Sequence, residues 1–397
     1  MRIDLVSETL GVGGAETFVL RLAAALHHRG HAVRLLVLRA DRIDRGLVAA
    51  LAPGITVAGF SSWAFKVLSR LDGLLYLARV RYSATRALQV KWLAHQLQAD
   101  PPEVVHSHLM NCDIVAGRAM GSSMARRVST MHGDYFHLEK FGQDRAMRIH
   151  SFEDAVAEVA QRLSDIVCIS AGQVKQVHRL LSSVSARAKV HRILNGYSGS
   201  PVLRTSAGVD IPAGHFVVGM VSRGIPDKGW NVLIQAFQKI NLENSRLLLV
   251  GAGEYLDDLK RENRDERIIF CGQQHNPRDF IAHFDVACLP TTYAPESLPT
   301  VVVEYLHEGK PVVATHFAEI PAMLEMGSAS PAGMTIPVGS EADMIDGVAA
   351  TLMTLYNSPE LRNTMGRSAR RAFEKFSMER CVEAYLKVYA GGEPTLT

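Results

Sequence analysis

The chain has no run of about 18 apolar residues, so a membrane-spanning helix is not expected. It opens with Met1-Arg-Ile-Asp-Leu-Val-Ser-Glu8, which lacks the apolar core of a secretion signal, and a cytoplasmic protein is expected. Cysteine is scarce. Cys112, Cys168, Cys271, Cys288 and Cys381 show neither Cys-x-x-Cys nor a metal-ligand spacing. That speaks for small core residues in a reducing compartment. Short internal repeats and low-complexity tracts are absent.

What is present describes a globular protein with two cores. A length of 397 residues exceeds a typical single core. A hydrophobic content of 47% with 21% charged residues is ordinary. The net charge of +3 conceals a contrast. Residues 1–200 carry 25 Lys+Arg against 16 Asp+Glu, or +9, and the remainder carries 18 against 24, or −6. A basic half suits contact with something anionic, such as a membrane surface or a lipid diphosphate; plain solvated charge is the alternative. No nucleic-acid partner is expected.

Strand and helix patterns alternate. Residues 3–6 are short and apolar, and a glycine turn (Gly11-Val-Gly-Gly14) follows. Phe18, Leu22 and Leu26 then share one face of a helix that Gly30 stops. Further strands are expected at 33–38, 104–106, 127–130, 166–169 and 189–193. Residues 201–214, rich in Ser, Pro and Gly, read as a linker. The pattern restarts with strands at 216–221, 246–250, 268–270, 285–289 and 311–314. This is an α/β chain with two parallel sheets and right-handed crossovers. One domain covers 1–200 and a second 201–376; a final helix and tail cover 377–397.

Residues 60–95 stand apart. Trp63, Phe65, Leu68, Leu71, Leu74, Leu75, Tyr76, Val80 and Trp92 interleave with Lys66, Arg70, Arg79, Arg81, Arg86 and Lys91, and only Asp72 is acidic. Such a stretch suits a helix lying in an anionic membrane interface. The alternative is a core helix whose arginines reach out to water.

Two carboxylates eight apart, Glu296 and Glu304, stand in Tyr293-Ala-Pro-Glu-Ser-Leu-Pro-Thr-Val-Val-Val-Glu304. A strand, a polar turn and a helix begun at Pro299 make an anion site, with a carboxylate on either side to accept hydroxyl hydrogen bonds. An anion flanked by hydroxyls describes a nucleotide diphosphate sugar. Arg223 and Lys228 follow another strand in Met220-Val-Ser-Arg-Gly-Ile-Pro-Asp-Lys-Gly229 and supply cations for the phosphates. No Asp-x-Asp ends a strand near them, so no metal or other cofactor is expected. Gly11-x-Gly13 with Asp41 loosely mimics a dinucleotide fingerprint, but its third glycine would fall at Glu16, which disfavours a dehydrogenase. His106, His108 and His132 lack a carboxylate or cysteine at helical spacing, which disfavours zinc.

The full set resembles the retaining glycosyltransferases of family 4. The resemblance implies the GT-B fold: two Rossmann-like domains whose sheets face a central cleft, an N-terminal one for the acceptor and a C-terminal one for the nucleotide sugar, with the last helix crossing back to the N-terminal domain. It implies that Glu296 contacts hydroxyls of the donor sugar, Glu304 the ribose, and Arg223 and Lys228 the diphosphate. Gly13 and Gly14 would lie beside the leaving phosphate, and His132 near the transferred sugar. Gly251, Gly253 and Gly272 would approach the nucleotide through backbone, and Ser297, Leu298, Pro299 and Thr300 would sit at the phosphates. His106, His108, Asp134 and Tyr135 are acceptor-side candidates. The implied reaction is transfer from a nucleotide diphosphate sugar, UDP-linked, to a glycan or lipid-linked saccharide at the inner face of the membrane, in cell-surface polysaccharide synthesis. A GT-B isomerase or phosphorylase, and a non-catalytic nucleotide-sugar binder, are the alternatives. The sequence departs from the family's Glu-Gly-Phe-Gly with Glu296-Ser-Leu-Pro299, and from its Asn-Gly-Val-Asp with Asn195-Gly-Tyr-Ser198.

Overall fold

Apolar runs flanked by turns become strands buried on both faces. In the computed structural model, which describes all residues except 12, 81, 122, 134–151, 183–185, 187, 200–208, 210, 275 and 395–397, they form two parallel sheets. The chain divides into two compact units, Met1–Ser198 with Ser377–Thr397, and Gly199–Phe376. Most of the stretch read as a linker lies outside the described residues.

The first unit holds strands β1 (Arg2–Ser7), β2 (Ala32–Val37), β3 (Thr56–Gly59), β4 (Val104–His108), β5 (Arg126–Met131), β6 (Asp165–Cys168) and β7 (Lys189–Arg192) in the order β3-β2-β1-β4-β5-β6-β7. Its helices are α1 (Gly14–His28), α2 (Arg45–Leu51), α3 (Ser62–Leu77), α4 (Ala84–Ala99), α5 (Met110–Ala119), α6 (Phe152–Arg162) and α7 (Ala171–Leu181). The second unit holds β8 (Phe216–Val221), β9 (Ser245–Val250), β10 (Ile268–Gly272), β11 (Val286–Leu289), β12 (Val312–Thr315) and β13 (Gly333–Ile336) in the order β10-β9-β8-β11-β12-β13. Its helices are α8 (Trp230–Ile240), α9 (Glu254–Glu262), α10 (Arg278–Ile281), α11 (Thr300–His307), α12 (Ile320–Leu324), α13 (Glu341–Asn357) and α14 (Pro359–Phe373).

The last helix, α15 (Met378–Tyr389), buries Met378, Cys381, Val382, Tyr385, Val388 and Tyr389, an apolar stripe at helical spacing. That stripe joins Leu22 and Leu26 of α1 in the core of the first unit.

Both sheets reverse strand order once, between β1 and β4 and between β8 and β11. Ligands of open parallel sheets bind beyond the carboxyl ends of the strands at such reversals. The loops leaving β1, β4, β8 and β11 are therefore the places to look.

Candidate functional site

In the second unit the loops leaving β8 and β11 are tied together. The Asp227 carbonyl accepts from Thr292 N at 2.8 Å and from Thr291 Oγ1 at 3.1 Å. Trp230, fully buried, donates its Nε1 to the Arg223 carbonyl at 2.8 Å. Tyr305 locks α11 across the reversal: its hydroxyl accepts from Val221 N at 2.8 Å and donates to the Cys288 carbonyl at 3.3 Å. Gly229 lies in the left-handed region (φ 83°), and a Cβ there would stand 2.1 Å from the Pro290 carbonyl oxygen, so only glycine lets α8 start against the end of β11.

This frame brings Lys228 to Glu296. They form an ion pair, and Lys228 is only 6% exposed. Lys228 Nζ also lies 4.5 Å from the centre of the Tyr293 ring, and the Arg223 guanidinium carbon 5.1 Å from it. Both cations thus meet at one aromatic ring. Arg223 is exposed and makes no ion pair among the described residues. Beside them Ser297 is 6% exposed, and its Oγ has no hydrogen-bond partner among the described residues. Leu298 and Pro299 are buried. Pro299 is the residue before α11 rather than its first turn, and no side chain caps the helix, whose first-turn amides Thr300 begins. Glu304 lies half-buried in the same helix.

Two glycine turns complete the surroundings. A Cβ on Gly253 (φ 153°) would fall 2.4 Å from the Gly224 carbonyl oxygen, so the loops after β8 and β9 touch through bare backbone. Gly251 N donates to the Gly272 carbonyl at 2.9 Å, which adds the end of β10. Arg223, Lys228, Gly251, Gly253, Gly272, Glu296, Ser297 and Thr300 therefore belong to neighbouring loops at one end of one sheet.

In the first unit Gly13 precedes α1 with no side-chain cap, and Gly14 begins the helix. Along β4 and just beyond β5 three imidazoles cluster, His108 stacked on His132 and His106 tilted against His108. His108 Nδ1 and His132 Nε2 are 3.0 Å apart, and the rings of His106 and His108 are 4.1 Å apart. Phe18 of α1 packs on His132 at 5.3 Å. Burial lowers the basicity of all three, that of His132 to about 3. His132 is therefore a neutral hydrogen-bonding ring at ordinary pH.

His106 is not placed as expected for an acceptor contact. It is fully buried, Nδ1 bonded to the Tyr389 hydroxyl at 2.7 Å and Nε2 to Thr130 Oγ1 at 2.8 Å, while Tyr385 completes Thr130 at 2.8 Å. Both ring nitrogens are occupied within the core. His108 is likewise buried and touches His132, with its Nε2 unpartnered among the described residues. Asp134 and Tyr135 lie outside the described residues. Groups of three or more His, Cys, Asp or Glu able to hold a metal ion do not occur among the described residues. The sequence motifs do not assign a role to Tyr293, Tyr305, Tyr385 or Tyr389. The four-residue spacing of the last two, on a helix otherwise apolar on that side, was the available signal.

Known proteins share this fold. Residues 12–198 match the family described as Glycosyltransferase Family 4, and residues 215–354 match Glycosyl transferases group 1. Among curated relatives, a lipopolysaccharide core biosynthesis glycosyltransferase, LpsD, of Rhizobium meliloti (strain 1021) is 28% identical over 391 residues, 96% of each chain. A D-inositol 3-phosphate glycosyltransferase of Saccharomonospora viridis is 23% identical over 413 residues, covering 96% of this chain and 90% of its own. Among solved structures, Anabaena HepE in complex with UDP-glucose superposes with a TM-score of 0.73 at 21% identity, covering 98% of this chain and all of its own. Sucrose-phosphate synthase of Thermosynechococcus elongatus gives 0.72 at 17%, covering 98% of this chain and 99% of its own. The fold is GT-B.

Proposed function

The chain belongs to glycosyltransferase family 4, and on that premise we propose a retaining, metal-independent transfer of a sugar from a UDP-linked donor to a hydroxyl of a glycan or lipid-linked saccharide, in the cytoplasm at the inner face of the membrane, in cell-surface polysaccharide synthesis. One observation carries the reading: the buried Lys228–Glu296 pair at the strand-order reversal of the second unit, with Arg223 over the same tyrosine. A relative named for lipopolysaccharide core synthesis and a neighbour holding UDP-glucose support the acceptor and donor classes.

In this reading the bond from the anomeric carbon to the phosphate oxygen breaks, and the diphosphate leaves with the electron pair. The acceptor oxygen bonds to the carbon on the face just vacated, and its proton passes to the departing phosphate. Arg223, Lys228 and the amides opening α11 stabilise the charge that grows on the phosphate, more in the transition state than before it. Glu296 accepts hydroxyls of the sugar through the oxygen that Lys228 leaves free, and Glu304 those of the ribose. His132, neutral, hydrogen-bonds rather than carrying charge.

Arg223→Ala is expected to lower turnover about 10²–10³-fold, as loss of one preorganised donor does. It should fold normally, because Arg223 is exposed. Lys228→Ala should lose turnover comparably and also stability, since it strands the nearly buried Glu296 charge. Turnover near wild type in the Arg223 variant would remove that residue from the phosphate site, and the same result in a folded Lys228 variant would overturn the reading.

A further inference from the structure

Helix α3 turns an apolar side outward. Trp63, Val67, Leu71, Leu74 and Leu77 recur at spacings of three and four, which is one side of a helix. All five are exposed, Trp63 and Leu77 at 75% and Leu74 at 66%. Val80 and Tyr82 extend the patch into the turn before α4. Large apolar side chains gathered in this way mark an interaction surface rather than ordinary solvent-facing structure. Lys66 and Arg70 are exposed on the same side, with Arg79 just beyond it, and none of them forms an ion pair among the described residues.

The one acid of this stretch is turned inward. Asp72 is 2% exposed and accepts from Ser83 Oγ at 2.7 Å, Ala84 N at 2.6 Å and Thr85 N at 3.2 Å. Its charge sits on the amides that open α4, where a helix end favours an anion. The same contacts fix the α3–α4 corner. The outward face is therefore apolar with cations at its edge and no negative charge of its own.

We propose that this face seats on an anionic lipid bilayer, with the apolar side chains at the acyl boundary and Lys66, Arg70 and Arg79 at the headgroup phosphates. A second copy of the chain is a poorer occupant. Symmetric pairing would set the same cations against themselves, without an acid on the face to answer them. The proposal rests on the transferase reading for its purpose, delivery to a lipid-borne acceptor, but its test uses neither donor nor acceptor.

The full chain is mixed with vesicles of equal parts phosphatidylglycerol and phosphatidylcholine, or of phosphatidylcholine alone, at low salt. Sedimentation and tryptophan emission are then read. Trp230 is fully buried and Trp92 half-buried against Phe60, so a change in emission reports chiefly on Trp63. The expected result is binding to the anionic vesicles, a blue shift that Trp63→Phe removes, and release by salt. Lys66→Ser and Arg70→Ser should each weaken partitioning roughly fivefold. Leu74→Glu should abolish it with the melting temperature unchanged, because that side chain is already in water. Equal recovery in the supernatant with both vesicles would overturn the proposal and leave the transferase reading standing. So would a concentration-dependent dimer that Leu74→Glu returns to monomer. Loss of turnover in Arg223→Ala alongside failed vesicle binding would separate the two readings.

Discussion

Ser297 stands where the family pattern has glycine, and its buried hydroxyl lacks a partner among the described residues. An unsatisfied buried hydroxyl costs about 1–3 kcal/mol. Ser297→Ala is therefore expected to raise the melting temperature of the free protein and, in the proposed donor site, to weaken donor binding by removing a hydroxyl that the diphosphate sugar would partner. Thermal melts with and without UDP-glucose measure both, and a variant less stable than wild type would show the hydroxyl satisfied without ligand. The carboxylates separate in another way. Contacts made equally in ground and transition states affect KM, whereas those that strengthen as the bond breaks affect kcat. Glu304→Gln should raise the donor KM with a smaller effect on kcat, and Glu296→Gln the reverse. Affinity for UDP alone, which carries ribose but no sugar, should fall in the Glu304 variant. A fall confined to the Glu296 variant would reverse the assignment.

At the scale of the element, β4 with its buried His106 and His108, and the residue just after β5, His132, set how the protein answers acid. Unfolded histidine titrates near 6.5, while burial holds His132 at about 3 and His106 and His108 well below their ordinary value. Below about pH 6.5 the unfolded chain takes up protons that the native one refuses, so this stability is full above that pH and is lost as pH falls. Asp113 opposes it. Burial raises its carboxyl to about 7, so the native state keeps a proton that the unfolded chain releases above about pH 4. Three histidines against one aspartate leave at most two net protons, or about 2.7 kcal/mol per pH unit. The urea midpoint should therefore fall between pH 6.5 and 5, and a flat or rising midpoint would mean that the imidazoles are not held neutral. The interior strands were legible because runs such as Leu247-Leu-Leu-Val250 have no reading but burial. The edge strands β3 and β13 were not, since Thr56-Val-Ala-Gly59 and Gly333-Met-Thr-Ile336 are short and half-buried.

For the whole molecule, the two-sheet plan was legible because the βαβ rhythm restarts after residue 200. The candidate site was legible where loops leave strands, at Arg223, Lys228 and Glu296. Pairing was not: nothing in the spacing joins Lys228 to Glu296 across 68 positions, or hides His106 under tyrosines 279 and 283 positions away. Those contacts depend on how distant segments meet. That α15 packs in the first unit has a consequence for biosynthesis. Strands β1 to β7 emerge first, yet Thr130 and His106 lack their native hydrogen-bond partners until Tyr385 and Tyr389 arrive, after the whole of Gly199–Phe376 has been made. At 5–20 residues per second that interval is roughly ten to forty seconds. During it the nascent unit exposes the apolar groove that α15 will cover, so a holding chaperone has its longest opportunity there, and a nonsense codon late in the message would damage the part of the protein translated first.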